Sequence, residues 1–272
     1  MKLDKLNKLT GPLKSTAKMP LLFLGHGSPM NAIELNEFSR TWQEIGKSLP
    51  RPVAVLCVSA HWETCGTFVT AMEKPATIHD FGGFPQALFD VQYPAPGDPE
   101  LALETKNIVT DTPVNFDNNW GLDHGCWSVM KHLYPDAGIP VIQLSLDYNK
   151  SPQEHYNLSM QLNTLRKKGI LILGSGNIVH NLRMINWHKP GEGFDWAEEA
   201  NSTLKNLILA GDHKQLINYK SLGRDIGLSV PTPEHFLPLI YTLGLKENNE
   251  EIKVINDKLV MGSISMTSFQ IG

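Results

Sequence analysis

Three apolar runs constrain this chain more than anything else in it: "MPLLFL" at 19–24, "PVAVLCVSA" at 52–60 and "GILIL" at 169–173. Each is short, rich in branched or bulky apolar residues, and bounded by glycine, proline or serine. That is the signature of a strand buried on both faces. Each is also followed by a histidine once the strand has ended: His26 in "GHGSP", His61 in "SAHWE" and His180 in "GSGNIVHN".

The segments between these runs have helical spacing. "ELNEFSRTWQEIGKSL" (34–49) carries its apolar residues at three- and four-residue intervals and stops before Pro50. Further helices are expected over 99–110, after a turn within 118–135, over 152–168, 195–210 and 212–218, and over 231–244, the last begun by proline and ended by glycine. Strands are expected at 66–72 and 139–146, and the tail 251–269 alternates as a hairpin at a sheet edge. Residues 73–99 lack periodicity but are dense in proline, glycine and aromatics, the composition of a long functional loop. Strands alternating with helices predict an α/β fold: a single domain with a mixed, mostly parallel central sheet flanked by helices. At 272 residues the chain is long enough to bury roughly three-quarters of its unfolded surface in one core.

The formal net charge of -4 and a pI near 6.2 argue against a general nucleic-acid or anionic-membrane surface. No apolar run approaches the roughly 18 residues needed to span a bilayer. The N-terminal residues 1–18 carry five lysines and no apolar core of a secretory signal, so they are expected as a polar extension to a domain over 19–272. Cys57, Cys65 and Cys126 form no CxxC pair, which fits reduced thiols in a cytoplasmic protein. Nothing in the sequence calls for a dimer, and a monomer is expected.

In open α/β sheets ligands bind beyond the carboxyl ends of the strands. His26, His61 and His180 fall there, and His235 of "TPEHF" is expected in the first turn of the helix after two prolines. Four imidazoles gathered at one end of a sheet make a metal site. Glu63 and Glu234 each neighbour a candidate ligand, to complete the site or support it from outside. "GLDHGCW" (121–127) places Asp123 and His124 before a helix, where His124 either faces solvent beside a capping aspartate or faces the site. His132, His155, His188 and His213 are expected at the surface. "GSG" at 174–176 lacks the third glycine of a dinucleotide fingerprint, and neither Ser28 nor Ser175 sits in a nucleophile elbow.

The segments "LFLGHGSPMNAI", "SAHWE", "TIHDFGGFPQALFDVQYPAPG", "GLDHGCWSVMKHLYPDAGIPVIQLSLD", "GSGNIVHNLR" and "PTPEHFLPL" together resemble the DODA-type extradiol ring-opening dioxygenases, the 4,5-DOPA dioxygenase group of the class III, LigB-like superfamily. The resemblance runs from about residue 19 to the C-terminus. It implies a single α/β domain around a mixed sheet and one mononuclear non-haem metal, Fe(II) for ring opening, with Zn(II) found in some bacterial members. By motif it maps metal ligation onto His26, His61 and His235, with His180 close enough to be a fourth. In the wider superfamily the third ligand is a glutamate and a separate histidine is the acid–base catalyst. Here "PEHF" offers both Glu234 and His235.

The implied chemistry is 4,5-cleavage of a catechol such as DOPA by O2. A base must take a catechol proton and later return it, which suits an imidazole. His180 is the first choice for that role and His124 the second. His79, Asp80 and Tyr93 of the aromatic loop are expected as substrate contacts. Gly25 and Gly27 are expected to clear space for metal and ring. Two rival functions use the same scaffold, a zinc-dependent hydrolase and a non-enzymatic metal-binding protein.

Overall fold

The structure, a computed structural model, describes residues 18–272. The polar extension expected over 1–18 lies outside the described residues except for Lys18. The central sheet has six strands: β1 (Leu21–Gly25), β2 (Ala54–Ser59), β3 (Val141–Gln143), β4 (Ile170–Gly176), β5 (Ile252–Ile255) and β6 (Ser268–Ile271). Their order is β3-β2-β4-β1-β6-β5. The pairs β3–β2, β2–β4 and β4–β1 are parallel, and β6 and β5 close the edge antiparallel. The expected mixed, mostly parallel sheet is what forms.

Strand alternation sends each run's side chains to both faces. Leu22, Leu24, Val55, Cys57, Leu171 and Leu173 face one buried cluster, closed by Trp42 and Ile45 of α1 (Glu37–Ser48). The intervening residues Leu21, Phe23, Leu56, Ile170 and Ile172 face the other, shared with Leu101 of α2 (Pro99–Ile108). On the first face α3 (His124–Leu133) adds Trp127 and Met130. The second is completed by Leu158 of α4 (Pro152–Gln161), Leu204 of α5 (Asp195–Ala210) and Leu239 of α6 (Leu237–Gly244). The helix starts follow local chemistry. Asn36 accepts from the backbone of Phe38 and Ser39 while Ser39 returns a bond to Asn36, and Ser151 and Glu154 repeat this capping box at α4.

Register decides where the site lies. Leu24 pairs with Ser175, Gly25 with Gly176, and Ser59 with Ser175, so β1, β2 and β4 end level. The His26 N–H donates to the Gly176 carbonyl at 3.2 Å, and the Ala60 N–H donates to Ser175 at 3.0 Å. The residues just beyond these ends therefore emerge at one edge of the sheet.

Four elements differ most from expectation. The 66–72 run forms Thr67–Thr70, which pairs with Val114–Asp117 away from the main sheet. The 139–146 run is divided between β3 and Leu146–Asp147, which pairs with Glu63–Thr64. The tail makes four short strands, with Asn256 and Met261 at left-handed φ of 52° and 50° between them, and only its outer two join the sheet. The helix expected from 231 begins at Leu237. The carbonyl of His235 accepts from the Asn177 N–H at 2.9 Å, so the "TPEH" segment is held as a turn against the end of β4.

A buried ion pair ties the start of the domain to its end. Arg166, wholly buried, donates to the carbonyls of Met19 and Leu245 and to both oxygens of Glu250. Lys18 reaches Glu247 and Glu250, each at 2.8 Å. No helix among the described residues is long and apolar enough to cross a membrane.

Candidate metal centre and substrate pocket

Five imidazoles meet at the carboxyl end of the sheet. His26 follows β1, His61 follows β2, His180 lies beyond β4, His235 comes from the turn before α6, and His124 opens α3. Ring centroids are 5.0 Å apart for His26–His61, 5.4 Å for His26–His235, 5.0 Å for His61–His235 and 3.8 Å for His61–His124. His180 stacks on His235 at 3.5 Å. His26, His61 and His124 have ligand atoms mutually within 4.8 Å, as do His180, Glu234 and His235.

Hydrogen bonds fix how two of these rings point, and a nearby carboxylate faces a third. The Ser175 hydroxyl donates to the Gly125 carbonyl at 2.5 Å, so its oxygen accepts from His26 Nδ1–H at 3.0 Å. Glu234 accepts from His235 Nδ1–H at 3.0 Å. Asp80 stands 3.3 Å from His61 Nδ1. The Nδ1 atoms of His26 and His235 are thus bonded to oxygen, which leaves their Nε2 atoms as acceptors. His26 Nε2 and His61 Nε2 are 3.1 Å apart, and His235 Nε2 is buried with no hydrogen-bond partner. Buried imidazole nitrogens facing one another suit a cation. The donor set fits a divalent transition metal.

The electrostatics agree. Burial, followed by the neighbouring imidazoles, pushes the pKa of His26 and His235 well below the usual histidine value. Burial, reinforced by His124, lowers His61 to about 3 and His180 to about 4. These four rings are neutral at pH 7, with lone pairs open to a metal. Asp80 has the opposite balance. Burial raises its carboxyl, but bonds from the His124 ring (2.9 Å) and backbone N–H (2.8 Å) outweigh that and lower it.

Asp123, fully buried, caps α3 and accepts from Ser59 and Gln143, each at 2.6 Å. His124 is therefore aimed inward, next to a capping aspartate, and only 5% exposed. The expected surface positions fail for His132 and His155, which are buried on the inner faces of their helices. They bond the Asn31 carbonyl and the Tyr241 hydroxyl.

The cluster floors a pocket of about 270 Å3, lined also by Asp80, Phe81, Phe84, Leu182, Trp187 and Met261. A larger groove of about 630 Å3 runs past Gln43, Lys47 and Arg51, and its only histidine, His132, is already engaged. The chemistry lies in the smaller space.

Among the expected substrate contacts, Asp80 lines the pocket but is occupied in orienting His61 and His124. His79 does not reach the pocket. Its Nε2 donates to the Val91 carbonyl at 2.9 Å, pinning the aromatic loop. Tyr93 is 2% exposed and donates to the Tyr134 carbonyl at 2.9 Å, so it is a core residue, not a substrate contact. Gly25 clears space for the chain itself: a Cβ there would lie 2.8 Å from the backbone of Met266. Gly27 does line the pocket and takes a left-handed φ of 58°. Sequence reasoning missed Ser175 as the support of His26 and the wall residues Leu182, Ile185 and Trp187. The one available signal for the wall was an apolar loop, "NLRMINW", directly after His180.

Neutral imidazoles converging beneath aromatic rings at the end of an α/β sheet define a metalloenzyme for a small aromatic molecule. A family model described as the catalytic LigB subunit of aromatic ring-opening dioxygenase matches residues 20–271, and the chain belongs to this family. It is a metal-dependent extradiol dioxygenase whose reactants are a catechol and O2. A protein of Escherichia coli (strain K12) named 4,5-DOPA dioxygenase extradiol is 50% identical over 265 residues, 96% of this chain and 97% of that protein. A Beta vulgaris protein of the same name is 34% identical, over 91% of this chain and 94% of its own. The crystal structure of an uncharacterized Escherichia coli K12 protein superposes with a TM-score of 0.81 at 42% identity, covering 94% of this chain and all of that one.

Proposed function

We propose that this chain opens the ring of a catechol such as DOPA at the 4,5 bond, with Fe(II) held by His26, His61 and His235. The observation that carries this is the gathering of the three rings, with centroids 5.0–5.4 Å apart, each with an oxygen of Ser175, Asp80 or Glu234 beside its Nδ1. The relatives named 4,5-DOPA dioxygenase extradiol support the substrate class. Bound there, Fe(II) supplies the Lewis acidity that acidifies a catechol hydroxyl and the electron relay between catechol and O2.

The chain's own residues do the rest. Phe81 and Phe84 wall the pocket and hold a planar ring with water excluded. His180, neutral and stacked on His235, takes the catechol proton and returns it to the departing oxygen. His124, oriented by Asp80, is the second candidate for that proton.

The test is anaerobic reconstitution with Fe(II), addition of a catechol panel that includes DOPA, and then admission of O2. A yellow ring-opened product is expected. A protein that binds iron and opens no catechol in the panel contradicts the proposal.

A further inference from the structure

The pocket has a one-sided chemistry beyond its histidines. Phe81, Phe84, Leu182, Ile185, Trp187 and Met261 make the rest of its wall apolar. Among the described residues that line it there is no lysine or arginine, and Asp80 is the only carboxylate. Glu234 lies directly behind His235. Asp80 and Glu234 are thus the carboxylates set against the cluster.

The stretch 182–187 contributes the most exposed part of this wall. Leu182 is 59% exposed and Trp187 is 71% exposed, whereas Trp42 and Trp127 are wholly buried. The stretch is anchored at both ends. The Asn181 N–H donates to the Ser263 carbonyl at 3.1 Å and its side chain to the Leu228 carbonyl at 2.8 Å. The Asn186 N–H donates to the Met261 carbonyl at 2.8 Å. An indole held out on a fixed backbone at a pocket mouth gains burial when an apolar group covers it.

We infer that Leu182, Ile185 and Trp187 form the specificity wall for the ring substituent, selecting an uncharged apolar chain and disfavouring a carboxylate. This rests on the catechol-cleaving function proposed above and deepens it. A carboxylate placed there loses its hydration and faces Asp80, while Arg183 of the same stretch is exposed and lies outside the pocket lining. An alkyl chain covers Leu182 and Trp187 and removes apolar surface from water. DOPA is then accepted, not preferred.

The decisive comparison uses the Fe(II)-loaded enzyme and a matched pair of catechols, 4-propylcatechol and 3-(3,4-dihydroxyphenyl)propionate. They share a ring and a three-carbon chain and differ in a terminal methyl or carboxylate. The propyl compound is expected to have a kcat/KM higher by about tenfold or more, mainly through KM. Trp187→Lys should reverse the preference toward the propionate. Anaerobic titration should quench a tryptophan signal that Trp187→Phe removes. Equal or better use of the propionate by the unaltered enzyme, or no reversal in a folded Trp187→Lys protein, overturns the inference. If neither compound is opened, the dioxygenase proposal fails, and the anaerobic titration still decides the wall's preference by which compound binds more tightly.

Discussion

The Nε2 atoms of His26 and His61 stand 3.1 Å apart in the floor of the pocket. Ser175 accepts from His26 Nδ1–H, and Asp80 stands 3.3 Å from His61 Nδ1. Two imidazole nitrogens this close suit a shared cation. Replacing His26, His61 or His235 with alanine should leave a folded protein that has lost stoichiometric metal, read by elemental analysis after dialysis. Retention of full metal content by any of the three variants contradicts its assignment as a ligand.

Asp80 supports this arrangement without lying in it. It accepts from the His124 ring and backbone and stands behind His61. Asp80→Asn keeps the size and loses the charge. Metal affinity or turnover should fall by about 10–100-fold, the usual cost of removing a partner behind a metal-binding imidazole. The measurement is kcat/KM alongside a metal titration, and no change in either would show that the carboxylate is dispensable.

His180 separates ligand from base. If it only moves a proton, His180→Ala keeps its metal and loses about 10²–10⁴-fold in kcat. If metal content collapses with it, His180 is a ligand and the proton passes to His124.

The Arg166–Glu250 pair sets an acid limit on stability. Burial raises the Glu250 carboxyl, but bonds from Arg166 and Lys18 outweigh that and hold it at about 2. The folded value lies below the ordinary 4.5, so this contribution is complete above pH 4.5 and lost as the pH falls toward 2. Glu250→Gln should remove that acid-dependent part. At neutral pH it should cost about 3–5 kcal/mol, because Arg166 is left buried without its counter-charge. Thermal melts of both proteins across this pH range check both effects.

The parts of this molecule that depend on period and position were legible in its sequence. β1, β2 and β4 could be read from their apolar runs, and the histidines after them followed from the rule that sites lie beyond strand ends. Direction was not legible. Tyr93 is an aromatic in an aromatic-rich loop, yet its hydroxyl is claimed by Tyr134, a contact that no local pattern encodes. His155 lies on a polar-looking helix but turns wholly inward. Gly25 was read as room for a ligand and is room for Met266, which arrives from the far end of the chain. Trp187 resembles a core residue in composition and stands out in solvent at the pocket mouth. Each miss is a side-chain direction set by long-range packing.

The central claim is most directly tested with an oxygen electrode. The apoprotein is loaded with Fe(II) or with Zn(II), given a catechol under nitrogen, and exposed to O2. The iron-loaded protein should consume one O2 per catechol opened, with no peroxide released. The zinc-loaded protein should consume none, because zinc cannot relay electrons. An iron-loaded protein that takes up no O2 with any catechol, or that releases peroxide in place of ring-opened product, would contradict the account.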